Sequence, residues 1–393
     1  MSSEEVTYAP VTYADLPGWA DDDHAAALRA FLVSCEKVLA GVRAGNATGK
    51  VPTPPELLSA CFDAGRSLGG RPTKAAARAF FEAHFAPHRV VHSGPEGLLT
   101  GYYEPLLEGS RTKAPGFEAP IYRRPPELVN LVSESMRGAS GANLTHARKT
   151  KDGLEPFDTR EVIDRGSLAG RGLELIYLRD SVDVFFMQVQ GSGRIRLTDG
   201  STIRVSYDGK NGHPYASIGR YLIENGHLGA HAASMKNVAR WLRADPKRGR
   251  RVMWHNTSYV FFRELKGKQA ASALGVLTIP LMPRRSLAVD AGVHALGLPV
   301  YVTSSKLTHA GYSRGFHQLM VAHDVGSAIR GPERGDIYFG SGAKAESAAS
   351  VTKHPGRFFV LLPRPLPATS AEGHAPESGG GGAPWGGFRQ ASQ

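Results

Sequence analysis

Three aspartates stand beside apolar, strand-like runs: Asp290 ends Ser286-Leu287-Ala288-Val289, Asp324 follows Leu319-Met320-Val321-Ala322, and Asp336 opens Ile337-Tyr338-Phe339. Aspartate is a poor strand residue, and a carboxylate beside apolar surface needs hydrogen-bond partners. Turn capping would supply them. The chemical alternative is acid catalysis, because burial favours the neutral acid and a neighbouring carboxylate pushes the same way. A second set of residues is polar and neutral. Read as a strand, Phe185-Phe186-Met187-Gln188-Val189-Gln190 puts Gln188 and Gln190 on one face, and Gly191-Ser192-Gly193 follows as a turn. Two amides beside bare backbone suit a groove that hydrogen-bonds sugar hydroxyls and N-acetyl groups, although the solvent face of an edge strand would read the same way. Thr100-Gly101-Tyr102-Tyr103-Glu104-Pro105 adds two aromatics, which could pack on sugar rings or serve as core.

Other chemistries fit poorly. His84 and His88 have the four-residue spacing of helix-borne metal ligands, but Pro87 interrupts them and no third ligand follows, so no metal is expected. Gly45, Gly49 and Lys50 have one residue too few between the glycines for a phosphate loop, and Val51 stands where Ser or Thr belongs. Gly65-Arg66-Ser67-Leu68-Gly69 and Gly311-Tyr312-Ser313-Arg314-Gly315 match a nucleophile elbow in letters, yet neither lies between a strand and a helix. The aspartates also lack the Asp-Thr/Ser-Gly sequences of an aspartic protease.

The elements that must hold these residues are legible in outline. Leu28, Phe31, Leu32, Cys35, Val38 and Leu39 recur at helical spacing between the Asp21-Asp22-Asp23 run and Gly41. Further helices are predicted over 54–64 and 73–84, which puts Cys35 and Cys61 on adjacent helices, as a disulfide or as two buried thiols. Strands are predicted over 98–103, 173–178, 184–189, 194–197 and 202–207, with a hairpin at Asp199-Gly200. Helical periodicity returns over 213–242, and strands resume over 258–262, 286–289, 299–303, 318–322, 336–339 and 357–362.

At 393 residues, 41% hydrophobic and 21% charged, the chain can bury a substantial core, and its 46 Gly and 26 Pro favour a loop-rich β architecture. No apolar run would span a bilayer, and no export signal or lipid-attachment cysteine opens the chain. The net charge of +11 favours anionic partners. The basic residues are dispersed, and the one dense cluster, Lys247-Arg248-Gly249-Arg250-Arg251, reads as a solvated turn after a helix, so nucleic acid is not expected. Residues 366–393, rich in Pro, Gly, Ser and Ala, read as a disordered tail.

Taken in order, Thr100-Gly101-Tyr102-Tyr103-Glu104-Pro105, Phe186 to Gly193, Gly209-Lys210-Asn211-Gly212-His213, Asn256 to Phe262 and the three aspartates resemble the membrane-bound lytic murein transglycosylase A family. The resemblance implies a mainly β fold with N-terminal helices: a double-psi β-barrel over 1–103 and 243–365, with a second β domain inserted over 104–242 and a glycan groove between them. It implies cleavage of peptidoglycan in the periplasm or cell envelope without a cofactor, with Asp336 as catalytic acid, Asp324 tuning or orienting it, and Asp290 supporting the barrel. Thr100, Tyr103, Gln188, Gln190, Ser192 and Asn211 are the corresponding substrate-binding candidates. Ser327 and Arg330 stand where the family has Gly and Lys, and Thr257 where it has Pro. A peptidoglycan hydrolase and a non-catalytic glycan-binding module are the rival functions.

Overall fold

The computed structural model describes residues 6–43, 52–67, 72–131, 144–229 and 233–365, so the tail 366–393 lies outside the described residues. Strand β1 (Thr7–Pro10) leads into helices α1 (His24–Arg43), α2 (Pro55–Ser67) and α3 (Lys74–His84). There follow β2 (Phe85–Val91), β3 (Leu98–Glu104), β4 (Leu106–Ser110), β5 (Ala119–Tyr122), β6 (Leu128–Asn130), β7 (His146–Thr150) and β8 (Gly153–Glu155). The short α4 (Arg160–Val162) precedes β9 (Glu174–Leu178), α5 (Ser181–Gln190), β10 (Ser192–Leu197) and β11 (Thr202–Lys210). Helices α6 (Ile218–Glu224), α7 (Met235–Ala244) and α8 (Pro246–Trp254) come next. The chain continues with β12 (Val260–Leu265), β13 (Ser286–Val289), β14 (Pro299–Ser304), β15 (Phe316–Val325) and β16 (Arg334–Ser341), then α9 (Ala343–Ser350), β17 (Lys353–Pro355) and β18 (Arg357–Pro363).

The fold is mainly β with N-terminal helices. One mixed sheet runs β1-β2-β18-β14-β15-β13-β16-β3-β17, and no pairing among the described residues closes it into a barrel. A second sheet runs β12-β11-β10-β4-β9-β5. Strand β12 pairs antiparallel with β11 and forms the edge of the second sheet.

Helix α1 covers the first sheet. Its stripe of Leu28, Phe31, Cys35 and Val38 is buried, as its spacing requires. Thr73 caps α3 by accepting a hydrogen bond from the Ala76 amide (3.1 Å), which explains where that helix starts. Ahead of α1, the buried Asp22 carboxylate takes both terminal nitrogens of Arg285 (2.9 and 2.7 Å) and the Leu319 amide (2.7 Å), tying the leader to β15. Of the two states open to Cys35 and Cys61, the structure has the disulfide, with Cα atoms 5.3 Å apart. The bridge closes a loop with a sequence separation of 26, so its loss is worth about 3 to 4 kcal/mol through the entropy of the unfolded chain. Cys35→Ser is expected to lower the urea midpoint accordingly, and reductant should do the same to the native chain but not to the variant. Equal midpoints would remove the bridge from the account of stability.

Two predictions fail for the same physical reason. The segment 184–189 is not a strand but part of α5, because Asp180 accepts from the Asp183 amide as N-cap and Gly191, at φ +78°, ends the helix. Its β-branched and aromatic residues serve two cores: Val184 and Met187 pack under the second sheet, while Val182 and Phe185 pack against α6, α7 and α8. The basic cluster 247–251 is likewise not a turn. It lies in α8, where Asp245 caps the Lys247 and Arg248 amides and Pro246 takes the first turn. Arg248 stacks over the Trp241 ring at 4.0 Å. In both places the capping residues outweighed the composition of the run between them.

Candidate active site

Strand register builds the site. In the order β15-β13-β16-β3, Asp324 is the partner of Ala288, Ala288 of Asp336, and Asp336 of Thr100, so the four form one row across four strands. Alternation then places Tyr102 and Arg334 on the same face as Thr100 and Asp336. This face lines a groove of about 690 Å³, whose opposite wall comes from the end of α5 and from β11 and β12. Asp336, Asp324, Tyr102, Arg334, Gln188, Gln190 and Ser192 all border it.

Asp336 accepts a hydrogen bond from the Thr100 hydroxyl (2.6 Å), and that hydroxyl accepts one from Arg334 Nη2 (2.8 Å). Burial pushes the Asp336 pKa above its ordinary value, against the opposing pull of the Arg334 guanidinium and the Thr100 hydroxyl. A carboxyl group whose neutral form is favoured beside a groove is equipped to donate a proton. Asp324 is held differently. It accepts from the Tyr102 hydroxyl (3.1 Å) and the amides of Val276 (3.2 Å) and Val325 (2.9 Å). The small Ala288 side chain separates the two aspartates, and Tyr102 reaches across to Asp324. Burial raises the Tyr102 phenol well above 10, and the charges of Asp324 and Asp336 raise it further, so it stays a neutral donor. The loop that delivers the Val276 amide holds Leu277 and Thr278, both at φ +57°, a left-handed conformation that costs non-glycine residues about 1 kcal/mol or more each.

The remaining candidates divide by burial and direction. Asp290 accepts from the Gly292 and Gly331 amides (2.9 Å each), which ties two loops together. Gln188 and Gln190 border the groove as parts of one helix end, not as one strand face. Gln188 donates to the Val260 carbonyl (3.1 Å), and its Oε1 is buried with no hydrogen-bond partner among the described residues. Gln190 Oε1 accepts from the Tyr103 amide (2.9 Å). Tyr103 itself points the wrong way. Alternation turns it into the main core, with its hydroxyl near Met235 Sδ (3.9 Å), and the neighbouring Tyr102 takes the groove position. Asn211 is fully buried, and its amide is committed to the backbone of Asp158, Thr257 and Tyr259 (2.8 Å each), so it fixes a turn instead of reaching the groove.

Sequence reasoning missed several lining residues. Arg160 is buried, donates to the Asn256 (3.0 Å) and Ser258 (2.7 Å) carbonyls and lies over the Phe185 and Tyr259 rings. Tyr215 feels the Asp336 charge. Lys210 spans from β11 to the Ser327 hydroxyl (3.2 Å). Two-residue alternation from Thr100 and Asp336 would have found Tyr102 and Arg334. No local pattern marks the others.

A half-buried carboxyl group in a polar groove between two β-sheets is the arrangement that a carboxyl-dependent enzyme requires. The MltA specific insert domain matches residues 98–263 and the 3D domain residues 285–362. The chain is 34% identical over 271 residues to a membrane-bound lytic murein transglycosylase A of Escherichia coli K12, an alignment covering 68% of this chain and 66% of that relative. It resembles the crystal structure of a membrane-bound lytic murein transglycosylase from Agrobacterium tumefaciens with TM-score 0.79 and 37% identity, covering 91% of this chain and 98% of that one. The structure of Escherichia coli MltA with bound chitohexaose matches with TM-score 0.61 and 26% identity, over 93% and 94% of the two chains. The chain belongs to the membrane-bound lytic murein transglycosylase A family. No helix among the described residues is long and apolar enough to cross a membrane.

Proposed function

We propose that the protein is a lytic transglycosylase that cleaves the β-1,4 bond between N-acetylmuramic acid and N-acetylglucosamine in peptidoglycan, with Asp336 as its single general acid and base. Neutral Asp336 protonates the glycosidic oxygen as the C1–O bond breaks. Its carboxylate then takes the proton of the muramoyl 6-hydroxyl as that oxygen bonds to C1, which closes a 1,6-anhydro ring and restores the acid without consuming water. The observation that carries this reading is the unequal surroundings of the two aspartates. Asp336 is half-buried, with its neutral form favoured by desolvation, while Asp324 is bound by the Tyr102 hydroxyl and two amides. In the rival hydrolysis a second carboxylate must activate water or attack the sugar. Asp324, committed to three donors, is better suited to ordering Tyr102 and the Val276 loop.

The bound chitohexaose of the Escherichia coli relative supports a polysaccharide ligand for this groove. Thr100, Gln188, Gln190 and Ser192 then act as positioning and sugar-binding groups, and the cell envelope becomes the site of action. In this reading the nine-stranded sheet, with its parallel β13–β15 and β16–β3 pairs among antiparallel ones, is the frame of a double-psi β-barrel, and the six-stranded sheet is the inserted domain.

Mass spectrometry of fragments released from purified peptidoglycan tests the proposal. Muropeptides lighter by one water than hydrolysis products are expected. Reducing ends would replace the reading with a hydrolase, and binding without release would leave a glycan-binding module.

A further inference from the structure

We propose that Arg334 is a positioning residue that, acting through Thr100, fixes which oxygen of Asp336 carries the reacting proton. The inference rests on the reading of Asp336 as the catalytic acid. Its evidence is a two-bond relay: Arg334 Nη2 lies 2.8 Å from Thr100 Oγ1, which lies 2.6 Å from Asp336 Oδ1. A guanidinium can only donate. The Thr100 oxygen therefore accepts from Arg334, and among the described residues its hydrogen has one acceptor, Asp336 Oδ1. The reverse arrangement, with a proton on Oδ1 donated to Thr100, would strand the hydroxyl hydrogen without an acceptor, at a cost comparable to a lost hydrogen bond. The relay thus reserves Oδ1 as an acceptor and leaves the acid's proton on Oδ2, which has no hydrogen-bond partner among the described residues.

The relay is anchored in the backbone. Arg334 Nη1 donates to the carbonyls of Gly335 (2.5 Å) and Leu98 (3.4 Å), and the β3–β16 register pairs Arg334 with Leu98 and Asp336 with Thr100. A lysine could supply charge but not this fork. The charged and titratable groups around Asp336 are Arg334 on its own strand, Tyr102 on β3, Tyr215 before α6, and Asp324 on β15 behind Tyr102. Arg334 is the cation among them that favours the ionised acid.

The test is a double-mutant cycle on peptidoglycan turnover with Arg334→Gln, Thr100→Val and both together, and Thr100→Ser as the conservative control. Each disruptive single variant is expected to lower kcat tenfold to a hundredfold, on the order of the cost of misplacing a reacting group, with KM changed by less than about threefold. The double variant should be no slower than the slower single one, and Thr100→Ser should recover most of the rate. In Arg334→Gln the limb on which activity falls with rising pH should move to higher pH, since a cation stabilising the carboxylate is gone. Multiplying losses in the double variant, or a pH limb unmoved by Arg334→Gln, would overturn the relay. Binding of an N-acetylglucosamine hexamer serves as the folding control. Native protein without anhydro products would instead remove the catalytic reading on which the relay depends.

Discussion

Asp336→Asn is expected to reduce release of anhydro-muropeptides by at least the 10²- to 10⁴-fold that a general acid contributes, while glycan binding stays within about threefold of native. Asparagine keeps an oxygen for the Thr100 hydroxyl and nearly the same volume, so the β3–β16 pairing and the groove wall have no reason to move. What it loses is the proton. Both steps at the glycosidic bond fail together, since one carboxyl group serves as acid and then as base. Stability should respond in the opposite direction to activity. Because burial raises the Asp336 pKa above 3.8, its contribution to folding is fully present below the unfolded pKa and is lost as pH rises through the folded pKa. Asp336→Asn carries no such penalty, so above that window the variant should be at least as stable as the native chain. Native turnover should decline over the same window as the acid ionises. Unchanged product release by Asp336→Asn would end the assignment of this residue, and a rate that rises through the window would argue against a carboxylic acid as donor.

The parts of this site legible in the sequence are those that a two-residue period or a helix cap encodes. The apolar runs around Asp290, Asp324 and Asp336 are strands β13, β15 and β16, and the α1 stripe and the Asp199-Gly200 hairpin form as their spacing dictates. Three errors trace to long-range causes. The α5 segment is apolar on nearly every side because two cores claim it, so composition alone favoured a strand. The choice between Tyr102 and Tyr103 is a matter of parity, and parity follows from which face of β3 helix α9 and the main core cover. Asn211 is a substrate-binding candidate by resemblance, yet the backbones of Asp158 and of Thr257–Tyr259 meet around it, and a buried amide with those neighbours is spent on them. The row from Asp324 through Ala288 and Asp336 to Thr100 needs four strands from distant parts of the chain, and strand order is not written in any one of them.

Glu104→Ala is expected to be the most destabilising single change in the groove's frame, at about 3 to 5 kcal/mol, the usual cost of leaving a buried charge without its partner. Glu104 is the last residue of β3, fully buried where the chain passes from the first sheet into the second. Its carboxylate receives Arg204 Nε (2.6 Å) and Nη2 (3.0 Å) from β11 and the Ser341 hydroxyl (2.6 Å) from β16. Arg204 also donates to the Ala270 carbonyl. One carboxylate thus joins the strand that carries Asp336 to the sheet that forms the opposite wall, and its removal strands the Arg204 guanidinium while loosening the spacing between walls. Urea unfolding should register the first effect and a raised KM for glycan the second. Replacing both partners, as in Glu104→Leu with Arg204→Met, removes the unpaired charge and should cost less than Glu104→Ala alone. If Glu104→Ala unfolds at the native midpoint, or the double variant is weaker than the single, the ion pair does not hold the two walls together.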